Sequence, residues 1–198
     1  MNISGCELLR GYQSRPDIFP RIINRPTMEN RPDALLFGQR EFRCARYPAL
    51  LKTNGFGGCS ILFMYDEQQG LRAGAHFDGY ALSAPQVKPS FERIITPRLR
   101  SVCGDLSQFK ARLIGGIDCN ERSERMAEEI LMELADLKID LVELDFGRTC
   151  SQGAIIGKDN NVYELTHYSL GNEEALQMRD LSAYYATRNA LLRDASSI

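Results

Sequence analysis

Residues 53–77 read TNGFGGCSILFMYDEQQGLRAGAHF, and this stretch decides the fold. Thr53 to Gly58 is a glycine-rich turn. Ile61 to Tyr65 (ILFMY) is an uninterrupted apolar run between Gly57-Gly58 and Asp66-Glu67. It is too short for a stable helix and reads as a buried strand. Glu67 to Gly70 is a turn, and Leu71 to Phe77 (LRAGAHF) reads as a second strand. Two strands joined this closely form a hairpin, which brings the start of the first beside the end of the second. Cys59 and His76 occupy those two positions, 76 − 59 = 17 residues apart.

On the C-terminal side, Ala111 to Ile114 is a short strand ending in Gly115-Gly116. The clearest helix of the chain follows, about Ser123 to Leu137. Met126, Ala127, Ile130, Leu131, Leu134 and Leu137 share one of its faces. Asn120 or Ser123 can cap it, and Glu121 and Glu124 suit its positive start. Ile139 to Leu144 resumes as a strand. Ala154 to Ile156 and Val162 to Leu165 flank a turn at Lys158 to Asn161. A final helix, about Asn172 to Leu192, offers Ala175, Leu181, Tyr184 and Leu192 for docking. Between these segments, residues 78–109 are punctuated by Pro85, Pro89 and Pro97, with a short helix expected from Phe91 to Ile95. Lys88 to Arg112 holds six basic residues against two acidic ones. That surplus is either a docking patch or a solvated face.

On the N-terminal side the pattern is irregular. Pro16, Pro20, Pro26, Pro32 and Pro48 alternate with Arg10, Arg15, Arg21, Arg25, Arg31, Arg40, Arg43 and Arg46. Prolines at this spacing break long helices, so loops and short strands are expected. Such an arm wraps the domain, meets an acidic partner, or is a plain surface extension. The organisation read from the sequence is therefore a Pro/Arg-rich extension over 1–48, a domain over 49–168, and a C-terminal helix within 169–198 docked on the same body. The fold class is α/β of the α+β kind: a mixed β-sheet sandwich of short strands with helices packed on its outer faces.

Composition agrees with a folded domain. Of 198 residues, 43% are hydrophobic and 25% are charged, which is enough apolar surface to offset ordering entropy. The net charge of −2 argues neither for nor against nucleic acid, and no such partner is expected. No apolar run approaches a membrane span. The N-terminus lacks the basic-then-apolar pattern of a signal peptide, so the cytoplasm is the expected compartment. The six cysteines, at 6, 44, 59, 103, 119 and 150, contain no CxxC or CxC spacing. Reduced thiols are expected, and no metal site has a local signature.

Cys59 is the candidate nucleophile. Glycines let the backbone approach a substrate closely, and N–H groups around Gly58 and Cys59 can face a developing oxyanion, with Gly57, Gly58 and Ser60 as the oxyanion and substrate-loop residues. A free thiol is mostly protonated at neutral pH and needs an imidazole beside it to form the thiolate. The chain has two histidines. His76 lies across the hairpin, whereas His167 follows a strand and has no motif around it. Among the other cysteines, Cys150 in GRTCSQG is in a comparable loop setting but lacks an evident base. A buried cysteine is also an ordinary small hydrophobe, and a histidine at a strand end an ordinary packing residue. On these residues alone both readings stand.

The same stretch resembles the signature of the CheD chemoreceptor glutamine deamidases. That family has a Thr, a Gly-rich segment ending in Ser-Cys, an apolar strand, an acidic turn and Gly-x-x-His-Phe. It spaces Thr and Cys by six and Cys and His by seventeen, as Thr53, Cys59 and His76 are spaced here. KARLIGG (110–116), NERSERM (120–126) and KIDLVELDFG (138–147) are similar to later family segments. The chain departs from the pattern in three places. Gly58, not serine, precedes Cys59. Asp78-Gly79-Tyr80 replaces Met-Leu-Pro, and Phe146 to Cys150 replaces Gly-Gly-x-x-Gly-Arg.

The resemblance implies a CheD-like fold and a Cys59–His76–Thr53 triad that hydrolyses a glutamine side chain to glutamate and ammonia through a thioester. It implies no cofactor and no metal. The expected partners are a protein substrate bearing a surface glutamine, a chemoreceptor or another, and a regulatory protein. Two alternatives remain. One is a toxin- or effector-like deamidase of another target, and the other is a catalytically inactive binding module on the same fold.

Overall fold

The structure is a computed structural model and describes residues 11, 25–54, 58–78, 86–117, 120–147, 153–166 and 191–196. Eleven strands are present among these residues. They are β1 (Thr27–Glu29), β2 (Leu35–Leu36), β3 (Glu41–Arg46), β4 (Leu51–Thr53), β5 (Ser60–Asp66), β6 (Leu71–Phe77), β7 (Lys110–Gly115), β8 (Asp140–Phe146), β9 (Ala154–Ile156), β10 (Val162–Thr166) and β11 (Arg193–Asp194).

β5 and β6 form the expected antiparallel hairpin, with Ser60 opposite Phe77 and Asp66 opposite Leu71. Asp66 Oδ1 closes the turn by accepting from the backbone N–H groups of Gln68 and Gln69 at 2.9 and 3.0 Å. Every residue of both strands is buried. Both faces of the hairpin are covered, and that is why ILFMY is continuously apolar rather than alternating. The hairpin is the centre of a six-stranded sheet of order β11-β3-β6-β5-β7-β8. β7 and β8 are parallel, joined by the long helix Glu121–Asp136. A parallel pair needs such a crossover. A second, five-stranded sheet has the order β1-β10-β9-β4-β2 and contains the expected β9–β10 hairpin.

The described residues form three layers. One face of the hairpin sheet (Cys59, Ile61, Phe63, Tyr65, Ile114) meets the five-stranded sheet (Leu51, Ala154, Ile156, Val162) in one apolar cluster. Phe37 lies in this interface against Gly74, where a Cβ would come within 2.5 Å of its ring, so glycine is required there. The other face (Leu62, Met64, Ala73, Ala75, Phe77) packs against the helices. Met126, Ala127, Ile130, Leu131 and Leu134 are the buried face of the long helix, as its periodicity predicts. Asn120 is the cap, its Oδ1 accepting from Ser123 N at 3.0 Å.

Several sequence expectations change. Residues 87–102 form one helical run: Val87–Ser90, a π-helical segment Phe91–Ile95, and Thr96–Val102. Pro89 falls in the first turn, where its missing donor costs little. Before Pro97 the ladder switches to wider π spacing, with Thr96 N donating to Phe91 O. The prolines therefore reshape a helix rather than prevent one. The expected boundary at 48/49 separates β3 from β4, each built into a sheet. Arg25, read as part of an arm, is buried. It donates to Val162 O (3.1 Å) and Asp145 Oδ2 (2.7 Å) and also pairs with Glu143. The expected C-terminal helix lies almost wholly outside the described residues. Its last position, Leu192, is not helical but buried, leading into β11 alongside β3. Four of the six basic residues between 88 and 112 are ion-paired: Lys88 with Glu92 and Glu133, Arg98 with Asp194, Lys110 with Glu67 and Arg112 with Glu143. That stretch is not a bare basic patch.

Candidate functional site

The hairpin register places the candidate residues. Ile61 is opposite His76, so Cys59, one residue before β5, falls opposite Asp78. Side chains alternate along a strand. Cys59, Ile61, His76 and Asp78 therefore share the face turned to the five-stranded sheet, with Cys59 and His76 as diagonal neighbours. Cys59 is fixed at its backbone, where its carbonyl accepts from Gly116 N at 2.8 Å. Its Sγ donates to Asp78 Oδ1 at 3.8 Å. Both side chains are buried.

The third residue comes from the other sheet. Thr53 ends β4, opposite Ala154 of β9, and its Oγ1 is 2.8 Å from His76 Nδ1. The contact is made by the Thr53 hydroxyl. The approach is tight. A Cβ on Gly153, whose φ is +111°, would sit 2.4 Å from Thr53 O, so a side chain there would push Thr53 away. His76 is fully buried, and burial lowers its pKa to about 3. The imidazole is consequently neutral at physiological pH. In the tautomer whose Nδ1–H donates to Thr53 Oγ1, Nε2 carries the basic lone pair, and that atom too is buried.

The glycine loop is braced from the helical layer. Ser123 Oγ donates to Gly58 O at 3.2 Å and accepts from Ile117 N at 3.1 Å. Ser123 is thus a tie between the long helix and the residue before Cys59, not its cap. Gly57, expected near the oxyanion, lies outside the described residues, as do His167, Cys6, Cys119 and Cys150. Ser60 pairs with Phe77, whose side chain belongs to the helix-facing cluster. The Ser60 hydroxyl points away from Cys59, and only its backbone can serve a substrate.

Cys44, Cys59 and Cys103 are free thiols. Burial pushes the Cys44 thiol up to about 12 and raises that of Cys103, whose Sγ donates to Leu99 O at 3.2 Å. Cys44 and Cys103 belong to the helix-facing cluster, on the other side of the sheet from His76. Among the described residues no group of three His, Cys, Asp or Glu side chains could hold a metal ion. The sequence reading missed Asp78 and Gly153. Asp78 could have been found by extending the hairpin register one pair past Ser60–Phe77. Gly153 had no local signal, because its neighbour Thr53 is about a hundred residues away in sequence.

What the arrangement can do chemically is limited and specific. A neutral base, held by a hydroxyl, shares a sheet face with a thiol and a carboxyl group. That set suits proton transfer from sulfur to nitrogen and acyl transfer to sulfur.

No protein-family model matches the chain, and no curated protein matches it. Among solved structures it is similar to the Neisseria meningitidis protein NMB0706, described as family-model DUF152. The TM-score is 0.40 at 8% identity, over 60% of this chain and 65% of that one, so less than two thirds of the Neisseria protein is spanned. It is also similar to the Bacillus licheniformis hypothetical protein YfiH, with a TM-score of 0.34 at 10% identity over 72% of this chain and 71% of that one. Neither description names a deamidase.

Proposed function

We propose that the chain is a cysteine amidohydrolase that converts a protein-bound glutamine to glutamate. The observation that carries this reading is the 2.8 Å contact between Thr53 Oγ1 and His76 Nδ1, which orients a neutral imidazole on the sheet face of Cys59. The thiol proton passes to His76 Nε2 as Sγ attacks the side-chain carboxamide carbon. The carbonyl oxygen becomes an oxyanion facing the backbone N–H groups at the start of β5. The C–N bond then breaks, the departing nitrogen takes the proton from His76, and ammonia leaves a thioester on Cys59. Water attacks the thioester while His76 accepts its proton. The C–S bond breaks, the thiol is restored, and the product is a carboxylic acid. Each step uses His76 as acceptor and then donor.

The assay is ammonia release from glutamine-bearing proteins, chemoreceptor cytoplasmic fragments among them, with mass spectrometry of the target. Deamidation adds about one dalton per site, an amide becoming an acid. Equal release by wild type and Cys59→Ala excludes the reading.

A second reading has its own observation. Cys59 Sγ donates to Asp78 Oδ1 in a buried pair, and this suits a binding module that kept the fold without turnover. Alkylation near neutral pH separates the two. An enzyme shows one fast thiol, mapped to Cys59 and slowed by His76→Ala, and an inert module shows none.

A further inference from the structure

We infer that Asp78 is the residue that makes the site select a neutral carboxamide and reject a carboxylate. The inference rests on the deamidase reading and assigns that site its charge preference. Asp78 follows β6 directly and is fully buried. Its Oδ1 accepts from Cys59 Sγ at 3.8 Å, so the carboxyl group stands beside the nucleophile itself. The register that puts Cys59 opposite Asp78 also puts His76 next on the same face, which sets the thiol opposite an acid side chain and diagonal to a base.

A glutamine side chain whose carbonyl carbon meets Sγ brings its NH₂ group within reach of one of these two neighbours. A carboxylate oxygen accepts from an amide N–H, and it repels the oxygen of a competing carboxylate. Buried near-contact between like charges is costly in this low-dielectric setting, so the discrimination is large for one side chain. The same geometry couples substrate to activation. An amide N–H that takes Asp78 Oδ1 displaces the Cys59 S–H from it and frees that proton for His76. It also favours release, because the glutamate product carries the charge that Asp78 repels.

The test needs no knowledge of the target protein. Cys59 in the intact chain is alkylated with iodoacetamide, a neutral carboxamide, and with iodoacetate, its anionic counterpart. Rates are read by peptide mapping and divided by those for 2-mercaptoethanol. The wild-type preference for iodoacetamide is expected to exceed the small-thiol value at least about tenfold, to fall within about twofold of it in Asp78→Asn, and to persist in Asp78→Glu. A parallel pair of cationic and anionic methanethiosulfonates on wild type alone gives the same discrimination without a variant. A wild-type preference equal to that of the small thiol overturns the inference, as does a preference retained in Asp78→Asn. Failure of both reagents to reach Cys59 in the native protein overturns it too, since a closed site admits no side chain. Loss of the deamidase reading looks different: no ammonia is released from any target while the iodoacetamide preference and its dependence on Asp78 remain.

Discussion

His76 and Arg72 lie four residues apart on β6 and point to the same face, between the same two sheets. Both are buried polar groups, and they have opposite fates. Arg72 donates through Nε to Asn160 Oδ1 at 3.1 Å and through its two terminal nitrogens to Ala49 O and Lys158 O, each at 3.0 Å. Its guanidinium also lies 3.8 Å from the centre of the Tyr47 ring. These partners are carbonyl oxygens and an aromatic face, none of which takes its proton. At the other end His76 faces a hydroxyl, with a thiol and a carboxyl group close by on the same face. The difference teaches that burial and hydrogen bonding do not by themselves mark a site. The partners must be able to exchange a proton. The Arg72 end staples the sheets together, and the His76 end uses the rigidity that the staple supplies.

Breaking the two ends should have separable results. Cys59→Ala is expected to lower ammonia release by at least about a thousandfold while the melting temperature moves little, because a small thiol is exchanged for a methyl group. Activity loss accompanied by unfolding would remove the distinction between the two ends. Arg72→Met should do the reverse. It removes the Arg72 donor from Ala49 O, Lys158 O and Asn160 Oδ1, the last of which keeps Tyr47 Oη, and is expected to cost about 3 kcal/mol by denaturant unfolding. Below its shifted midpoint, the alkylation rate of Cys59 should stay near that of wild type. A specific loss of Cys59 reactivity in folded Arg72→Met would show that the two ends are one unit.

pH sharpens the comparison further. The folded pKa of His76 is about 3, below the ordinary 6.5, so between these values the unfolded chain binds a proton that the native chain does not. Stability therefore falls as pH drops from 6.5 towards 3, by roughly 3 kcal/mol at pH 4.5 from this group alone. His76→Leu should flatten that slope in melts taken from pH 7 to 4.5, and Arg72→Met should not. The smallest effect belongs to Thr53. Thr53→Val removes one hydrogen bond and should lower kcat about tenfold, with Thr53→Ser restoring most of it. A rescue by Ser but not by Val assigns the role to the hydroxyl.

Much of the β5–β6 half of this comparison is legible in the sequence. The run from Ile61 to Tyr65, the turn at Glu67 to Gly70 and the strand to Phe77 are local signals, and hairpin geometry alone sets Cys59 beside the end of β6. The long helix is equally legible, since its buried face repeats every three to four residues. The helical run 87–102 was not, because prolines forbid a regular ladder but tolerate a first turn and a π-helical segment. The role of Arg25 was also hidden. An arginine among prolines reads as solvent-exposed until its partners, Glu143 and Asp145, are seen more than a hundred residues on.

The sequence by itself determined the hairpin and the approach of Cys59 to a histidine across it, because both follow from short-range periodicity and turn chemistry; the register decided the face they share. Only the tertiary structure decided which sheet carries Thr53, that its hydroxyl rather than its carbonyl meets His76, and that Gly153 makes room for it. It also decided that Ser123 braces Gly58 and that the Ser60 hydroxyl faces away. Those outcomes depend on how two sheets and a helix stack, and the stacking is set by the whole apolar interface rather than by any stretch that contains the residues concerned.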